Sequence, residues 1–226
     1  MPPSRSPEVI VISAPSGAGK TTLNRRLVTE HDAVLAMTVS YTTRARRAGE
    51  VDGVDYHFVT RDAFQALIAG GGMLEFAEVF GTLYGTARAE IERIHRQGKS
   101  ALLEIDVQGW RSVRAQLPAA RSVFILPPSL EALWQRLEAR GTEALAVRLR
   151  RLNTAKTELE SGHLYQHFVV NGIVENAYAE LQDIVIYGKD GNLAPSVGAA
   201  LCRALVAEFD SAPWPEKLSR EHADKP

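Results

Sequence analysis

Residues 8–21 read EVIVISAPSGAGKT. Glu8–Ser13 is a short β-branched run of the kind that forms a strand buried on both faces. Ala14-Pro15-Ser16-Gly17-Ala18-Gly19-Lys20-Thr21 follows at once, and Lys20–His31 then takes up a helical polar–apolar pattern. Strand, glycine-rich turn and helix form the frame in which G-x-x-x-x-G-K-[ST] grips phosphate. The match here is complete except at its first position, where Ala14 stands in place of glycine. Gly17 and Gly19 let the main chain curl so that several N–H groups converge on one centre. The helix behind them adds the positive end of its dipole. Lys20 is a point charge for the outer phosphates. The Thr21 hydroxyl is an expected Mg²⁺ ligand, with Thr22 beside it in the same turn.

Working outward, strands and helices alternate. Ser100–Ile105, Ser122–Leu126 and Phe168–Val170 read as buried strands. Arg88–Gln97, Val107–Gln116, Leu130–Arg140, Ala144–Glu160 and Val197–Phe209 carry helical patterns. That alternation predicts an α/β fold, a parallel sheet with helices on both faces. Asp106 ends the apolar run Ala101–Ile105, where a carboxylate orients Mg²⁺ or its waters. Glu104 shares its face.

Thr38–Thr86 breaks the rhythm. It is rich in Thr, Arg, Gly, Tyr and Phe and reads as a small mixed insertion off the sheet edge. Its first stretch, TVSYTTRARR, gathers Arg44, Arg46 and Arg47 beside hydroxyls, and Tyr56, Glu75, Tyr84 and Thr86 follow. Arginine forks and tyrosine hydroxyls suit a phosphate dianion. Leu130–Glu160, dense in arginine, reads as a second mobile piece.

The bulk numbers agree with a self-supporting domain. The chain has 226 residues, 45% hydrophobic and 23% charged, with a formal net charge of −1. No global basic field calls for nucleic acid or a membrane surface, and no apolar run reaches the length of a membrane span. A lone cysteine, Cys202, makes no internal disulfide and fits a reducing, cytoplasmic location. Residues 1–7 read as a disordered leader and 211–226 as a loose tail. His163 and His167 lie four apart, a metal-like spacing with no companion ligands. Cys202, Trp110 and Trp134 read as packing residues, and Trp214 falls in the tail.

The blocks SAPSGAGKTT, VSYTTRARRAGEVDGVDYHFV, LEFAEVFGTLYGT, LEIDVQG, FILPPS, RLEARG and VVN resemble the guanylate kinase family, in order, from about Val9 to about Tyr187. The resemblance implies a P-loop NTPase-type core (8–37, 88–129 and 162–210), a GMP-binding insertion (38–87) and a helical lid (130–161). It implies that Arg44, Arg47, Tyr56 and Tyr84 hold the GMP phosphate, and that Ser40, Glu75 and Thr86 read the guanine with Asp106 nearby. Ala14, Pro15, Ser16, Gly17, Ala18, Gly19, Lys20, Thr21 and Thr22 would hold ATP with Mg²⁺, and Asn171 would lie near the adenine. Arg136, Arg140 and Arg151 would close over the transferred group. Three positions depart from the family pattern: Gly172 where an acid is frequent, Glu104 where aspartate is usual, and Arg148 as extra charge near Arg151. Monomer and homo-oligomer both fit.

The base preference has its own chemistry. Guanine presents N1–H and N2–H₂ side by side, and one carboxylate accepts from both, whereas adenine turns a lone pair toward the same oxygens. Losing two charged hydrogen bonds implies discrimination on the order of 10³-fold or more. The attacking GMP oxygen is already ionised, so no general base is expected. Two alternatives are a kinase of the same fold acting on another monophosphate or a sugar phosphate, and a non-catalytic guanylate-kinase-like interaction module. Glu75 with Ser40 and Thr86 argues against the first, the intact GAGKT against the second.

Overall fold

The structure, a computed structural model, describes residues 6–79, 81–139 and 145–211. Arg140, Trp214 and most of the expected leader and tail lie outside the described residues. The chain begins with β1 (Val9–Ser13), α1 (Lys20–Glu30), β2 (Leu35–Met37), β3 (Tyr41–Thr42) and β4 (His57–Phe58). Next come α2 (Arg61–Ala69), β5 (Met73–Val79), β6 (Thr82–Ala87), α3 (Arg88–Arg96), β7 (Ser100–Glu104) and α4 (Val107–Gln116). Then follow β8 (Arg121–Leu126), α5 (Leu130–Ala139), α6 (Leu145–Glu160), a 3₁₀ turn (Gly162–Leu164), β9 (His167–Val170), α7 (Val174–Val185) and α8 (Pro195–Ser211). One sheet has the order β2-β7-β1-β8-β9, and a second has the order β4-β3-β6-β5. The first is the parallel five-stranded sheet of an α/β fold, as the alternation of elements predicted.

Two compact units partition the described residues. The first comprises residues 6–13, Asn24–Val123 and Val185–Tyr187. In it β7 pairs in parallel with both β1 (Ile12↔Glu104) and β2 (Leu35↔Ser100). Ile10, Val11, Ile12, Leu102 and Leu103 are buried, which is why these runs read as continuously apolar. Strand β2, only three residues long, escaped the sequence reading. The second sheet lies in this unit too. Helix α2, capped by the Thr60 hydroxyl accepting from the Ala63 N–H at 3.2 Å, packs Phe64 against Met73, Leu83 and Ala87. Strands β5 and β6 are antiparallel, with an irregularity between Met73 and Glu75. Such bulges re-aim side chains, and here Met73, Leu74 and Glu75 are buried consecutively. A Cβ at Gly85 would collide with the Glu75 carbonyl, so the close approach of the strands requires glycine there.

The second unit comprises Ala14–Leu23, Phe124–Ile184 and residues 188–211. Helix α8 starts at Pro195, a favoured first helical position. It lies close over β9 because Gly198 faces the Phe168 ring, where a Cβ would not fit. Gly162 makes the same room for Cys202, which is buried. Burial pushes the Cys202 thiol up to about 12, so it behaves as a core residue. Trp134 is buried in α5, and Trp110 is buried in α4 of the first unit. His163 sits in the 3₁₀ turn and His167 opens β9, so the four-residue spacing does not fall on a helix.

Candidate functional site

The phosphate loop leaves β1 at the buried Ser13 and enters α1 at Lys20. Gly17 and Gly19 hold φ of +94° and +92°, the left-handed region that curls the main chain. The curl is held from outside. Asn171, 3% exposed, donates from Nδ2 to the Ala18 carbonyl at 2.8 Å. Arg136 donates to the same carbonyl at 3.3 Å and to the Asn171 carbonyl at 2.6 Å. The Ser16 N–H donates to Glu158 on α6 at 2.9 Å. Side chains of α5, α6 and the segment after β9 thus fix the loop, and Thr21 and Thr22 stand exposed in the first helical turn.

These contacts give two residues roles that the sequence did not disclose. Arg136 grips loop carbonyls, and burial depresses its pKa. Asn171 clamps Ala18, while its Oδ1 is buried without a hydrogen-bond partner. Arg148 reaches Glu138 at 3.4 Å and lies over the Trp134 ring at 5.3 Å, pinning α6 to α5. Arg151 lies half-buried on α6.

The first unit contains a separate cavity of about 190 Å³ lined by Ser40, Tyr56, Glu75, Tyr84, Glu104 and Asp106, among others. Burial pushes the Glu75 carboxyl up to about 7; the Thr86 hydroxyl and amide hold it down, and the Asp106 charge pushes it further up. Thr86 lies opposite Glu75 on β6 and is fully buried, with its hydroxyl lacking a well-formed hydrogen bond. It is not among the residues that line the cavity. Asp106 caps α4, accepting from the Gly109 N–H at 2.8 Å. Glu104 accepts from Asn24 at 2.9 Å, so its extra methylene relative to aspartate is used within the fold. Ser40 is fixed through its neighbours. Its carbonyl accepts from the His57 N–H at 2.8 Å, and the Val39 N–H donates to Glu90 at 3.0 Å. Burial raises the Glu90 pKa, but the fork from Arg93 and the Val39 amide outweigh it and leave the carboxyl below its ordinary value.

In the same unit Arg44 lies over the Tyr56 and Phe58 rings, at 5.5 and 5.7 Å. It forms a two-pronged pair with Glu50 at 2.7 and 3.0 Å. Tyr56 and Tyr84 meet edge to face at 6.0 Å, and burial raises the Tyr56 pKa. Arg47 is exposed, with its N–H donated to Glu50 at 2.8 Å. Sequence reading missed Glu50, and it missed why the stretch VDGVDY is acidic. Asp55 accepts from the Val51 N–H at 2.7 Å and Asp52 from the Phe58 N–H at 2.8 Å, closing a loop that turns at Gly53.

A parallel sheet whose strand β1 runs through GAGKT into a helix defines the phosphate-loop class of nucleotide-binding α/β proteins. Comparison with known proteins narrows the class. The family model described as guanylate kinase matches residues 6–187. The chain is 50% identical over 174 residues to the guanylate kinase of Alkalilimnicola ehrlichii, covering 77% of this chain and 85% of that one. It is 46% identical over 202 residues to that of Nitratidesulfovibrio vulgaris, covering 89% and 96%. The crystal structure of guanylate kinase from Anaplasma phagocytophilum superposes with a TM-score of 0.62 at 34% identity, covering 79% and 84%. The chain belongs to the guanylate kinase family, whose reaction is the phosphorylation of GMP by ATP.

Proposed function

We propose that the two sites divide the reaction between them: the loop Ala14–Thr22 holds ATP, and the cavity of the first unit holds GMP with Glu75 reading its base. The observation that carries this is Glu75 itself. A carboxyl buried at the cavity wall, opposite the buried Thr86, lacks the solvation its charge needs. Two adjacent N–H donors from guanine supply what burial has removed and bring the ionised form back. Ser40 offers a hydroxyl to the same base, with Asp106 beside it. Arg44, Arg47, Tyr56 and Tyr84 receive the phosphate through charge-assisted hydrogen bonds.

The acceptor oxygen of GMP is ionised near neutral pH, so it attacks the γ-phosphorus without a base, and the bond from that phosphorus to the β-phosphate oxygen breaks, leaving GDP and ADP. Alignment and charge neutralisation then carry the rate. Lys20 and the loop amides neutralise the outer phosphates, and Arg151, with Arg140 outside the described residues, is assigned to the transferred group; Arg136, engaged with the Ala18 and Asn171 carbonyls, adds its charge beside the loop. Among the described residues no trio of His, Cys, Asp or Glu is grouped to hold a metal. The exposed Thr21 hydroxyl would hold Mg²⁺ brought in with ATP, and the Asp106 carboxylate would be a partner for its waters. The ion supplies charge compensation between the outer phosphates when bound. Among the described residues no helix is long and apolar enough to cross a membrane. A single buried thiol and nucleotide substrates fit a cytoplasmic site of action.

The test is a panel of nucleoside and sugar monophosphates in a coupled ADP-release assay. GMP is expected to lead acceptors that lack the guanine base by on the order of 10³-fold in kcat/KM. Equal turnover of AMP or UMP would remove Glu75 from base recognition.

A further inference from the structure

We propose that Glu50 is a positioning residue that aims the side-on edge of Arg44, its Nε–H and outer Nη2–H, at the phosphate of the acceptor nucleotide. The inference rests on the reading that Arg44 is a phosphate ligand. A guanidinium has a planar fork of N–H donors and no acceptor, so its direction is set by which donors are already taken. Here Nη1 is saturated: it donates to the Ala45 carbonyl at 2.8 Å and to Glu50 Oε2 at 3.0 Å. Nη2 gives one hydrogen to Glu50 Oε1 at 2.7 Å. Apart from a contact with the Tyr84 hydroxyl, what remains is the edge formed by Nε and the second Nη2 hydrogen, a parallel pair that matches two oxygens of one phosphate.

The rest of the surroundings fix that orientation. The Tyr56 and Phe58 rings support the guanidinium. At the root of the side chain, the Arg44 N–H donates to the Thr42 hydroxyl at 3.1 Å. Glu50 is itself tied down, since its Oε2 accepts from the Arg47 N–H at 2.8 Å and its own N–H donates to the Arg47 carbonyl at 3.2 Å. Gly49, with φ of +86°, supplies the turn that brings Glu50 back over the arginine. The paired arginine holds the Glu50 carboxyl down to about 2, so the clamp is ionised at every working pH. A carboxylate that merely stood in for an absent phosphate would have to leave when phosphate arrives. Leaving would break the arginine fork and the hydrogen bond from the Arg47 N–H together, which favours a permanent clamp.

The experiment measures binding of GMP and of guanosine to the wild type, E50Q, R44A and R44A/E50Q. In E50Q, one arm of the fork faces an amide donor. The expected result is a loss of roughly tenfold in GMP affinity with guanosine unchanged, and no further loss when E50Q is added to R44A. Equal loss of GMP and guanosine in E50Q would overturn the proposal in favour of general damage to the cavity. So would tighter GMP binding, which marks a stand-in, or a full additional loss in the R44A background. If R44A alone leaves GMP binding intact, the assignment of Arg44 to the phosphate fails, and the clamp fails with it. Should E50Q fold poorly, E50D tests the same point, because its shorter carboxylate keeps the charge and loses the two-pronged reach.

Discussion

The Glu75 carboxylate occupies the space that a side chain at position 109 would need: a Cβ built on Gly109 would lie 3.0 Å from Glu75 Oε2. The same Cβ would press on Ile105, at 3.2 and 3.3 Å. A helix former at this position is locally favourable, yet overpacking a buried contact costs about 1–3 kcal/mol. Glu75 is the more mobile partner and turns aside first. Gly109→Ala is therefore expected to raise the Michaelis constant for GMP roughly tenfold while leaving that for ATP unchanged. Steady-state kinetics with each substrate varied in turn checks this, and an unchanged GMP constant would show that α4 yields instead.

Glu75 also makes the free protein's stability depend on pH. Its carboxyl is lifted from an ordinary value of 4.5 to about 7 by burial. The native state therefore binds a proton that the unfolded chain has released between those values. The stabilisation is full below pH 4.5 and is lost as pH rises through 7. Glu75→Gln has no charge to bury, so at pH 8 it should be more stable than the parent by roughly 3 kcal/mol, and near pH 4 the two should converge. The same variant should bind GMP at least 10²-fold more weakly. Urea unfolding at the two pH values, with GMP titrations alongside, reads both effects. A variant less stable at pH 8 contradicts the burial argument.

The Asn171 amide and the Ala18 carbonyl support a different prediction. Asn171→Ala leaves Arg136 as the remaining donor to that carbonyl among the contacts described. Removing one donor to a buried acceptor costs about 1–2 kcal/mol. The loop loosens, and the Michaelis constant for ATP should rise with little change for GMP. Circular dichroism melts and kinetics together test the point; a rise confined to GMP would contradict it.

Lys20→Ala removes the one side-chain charge of the GAGKT motif. Turnover should fall by about 10²-fold or more, in the range seen for loss of a group that stabilises transition-state charge, with the melting temperature nearly unchanged. Near-normal turnover rules out its assigned role.

The sequence disclosed what is local. EVIVIS, GAGKT and the pattern of Val107–Gln116 each carry their own strand, loop or helix signal, and the structure forms β1, the phosphate loop and α4 there. Leu35–Met37 is too short for periodicity to announce, and it becomes a strand because Ser100–Leu102 lies alongside it. The site was legible in its residue types, since Ser40, Tyr56, Glu75, Tyr84 and Asp106 line one cavity. What stayed hidden were pairings across the chain. Nothing near Asn171 points to Ala18, and nothing near Glu158 points to Ser16. Glu50 lay within a quoted block, but its role depends on the conformation of the loop it closes.

Because Asn171, Arg136 and Glu158 hold the main chain around Gly17 and Gly19, the cradle has its shape before any nucleotide enters. With this loop assigned to ATP, the triphosphate is expected to meet a cradle already formed, without freezing a slack loop on arrival. Conformational freedom that would otherwise weaken its grip has already been surrendered during folding, so more of the contact energy with phosphate appears as affinity.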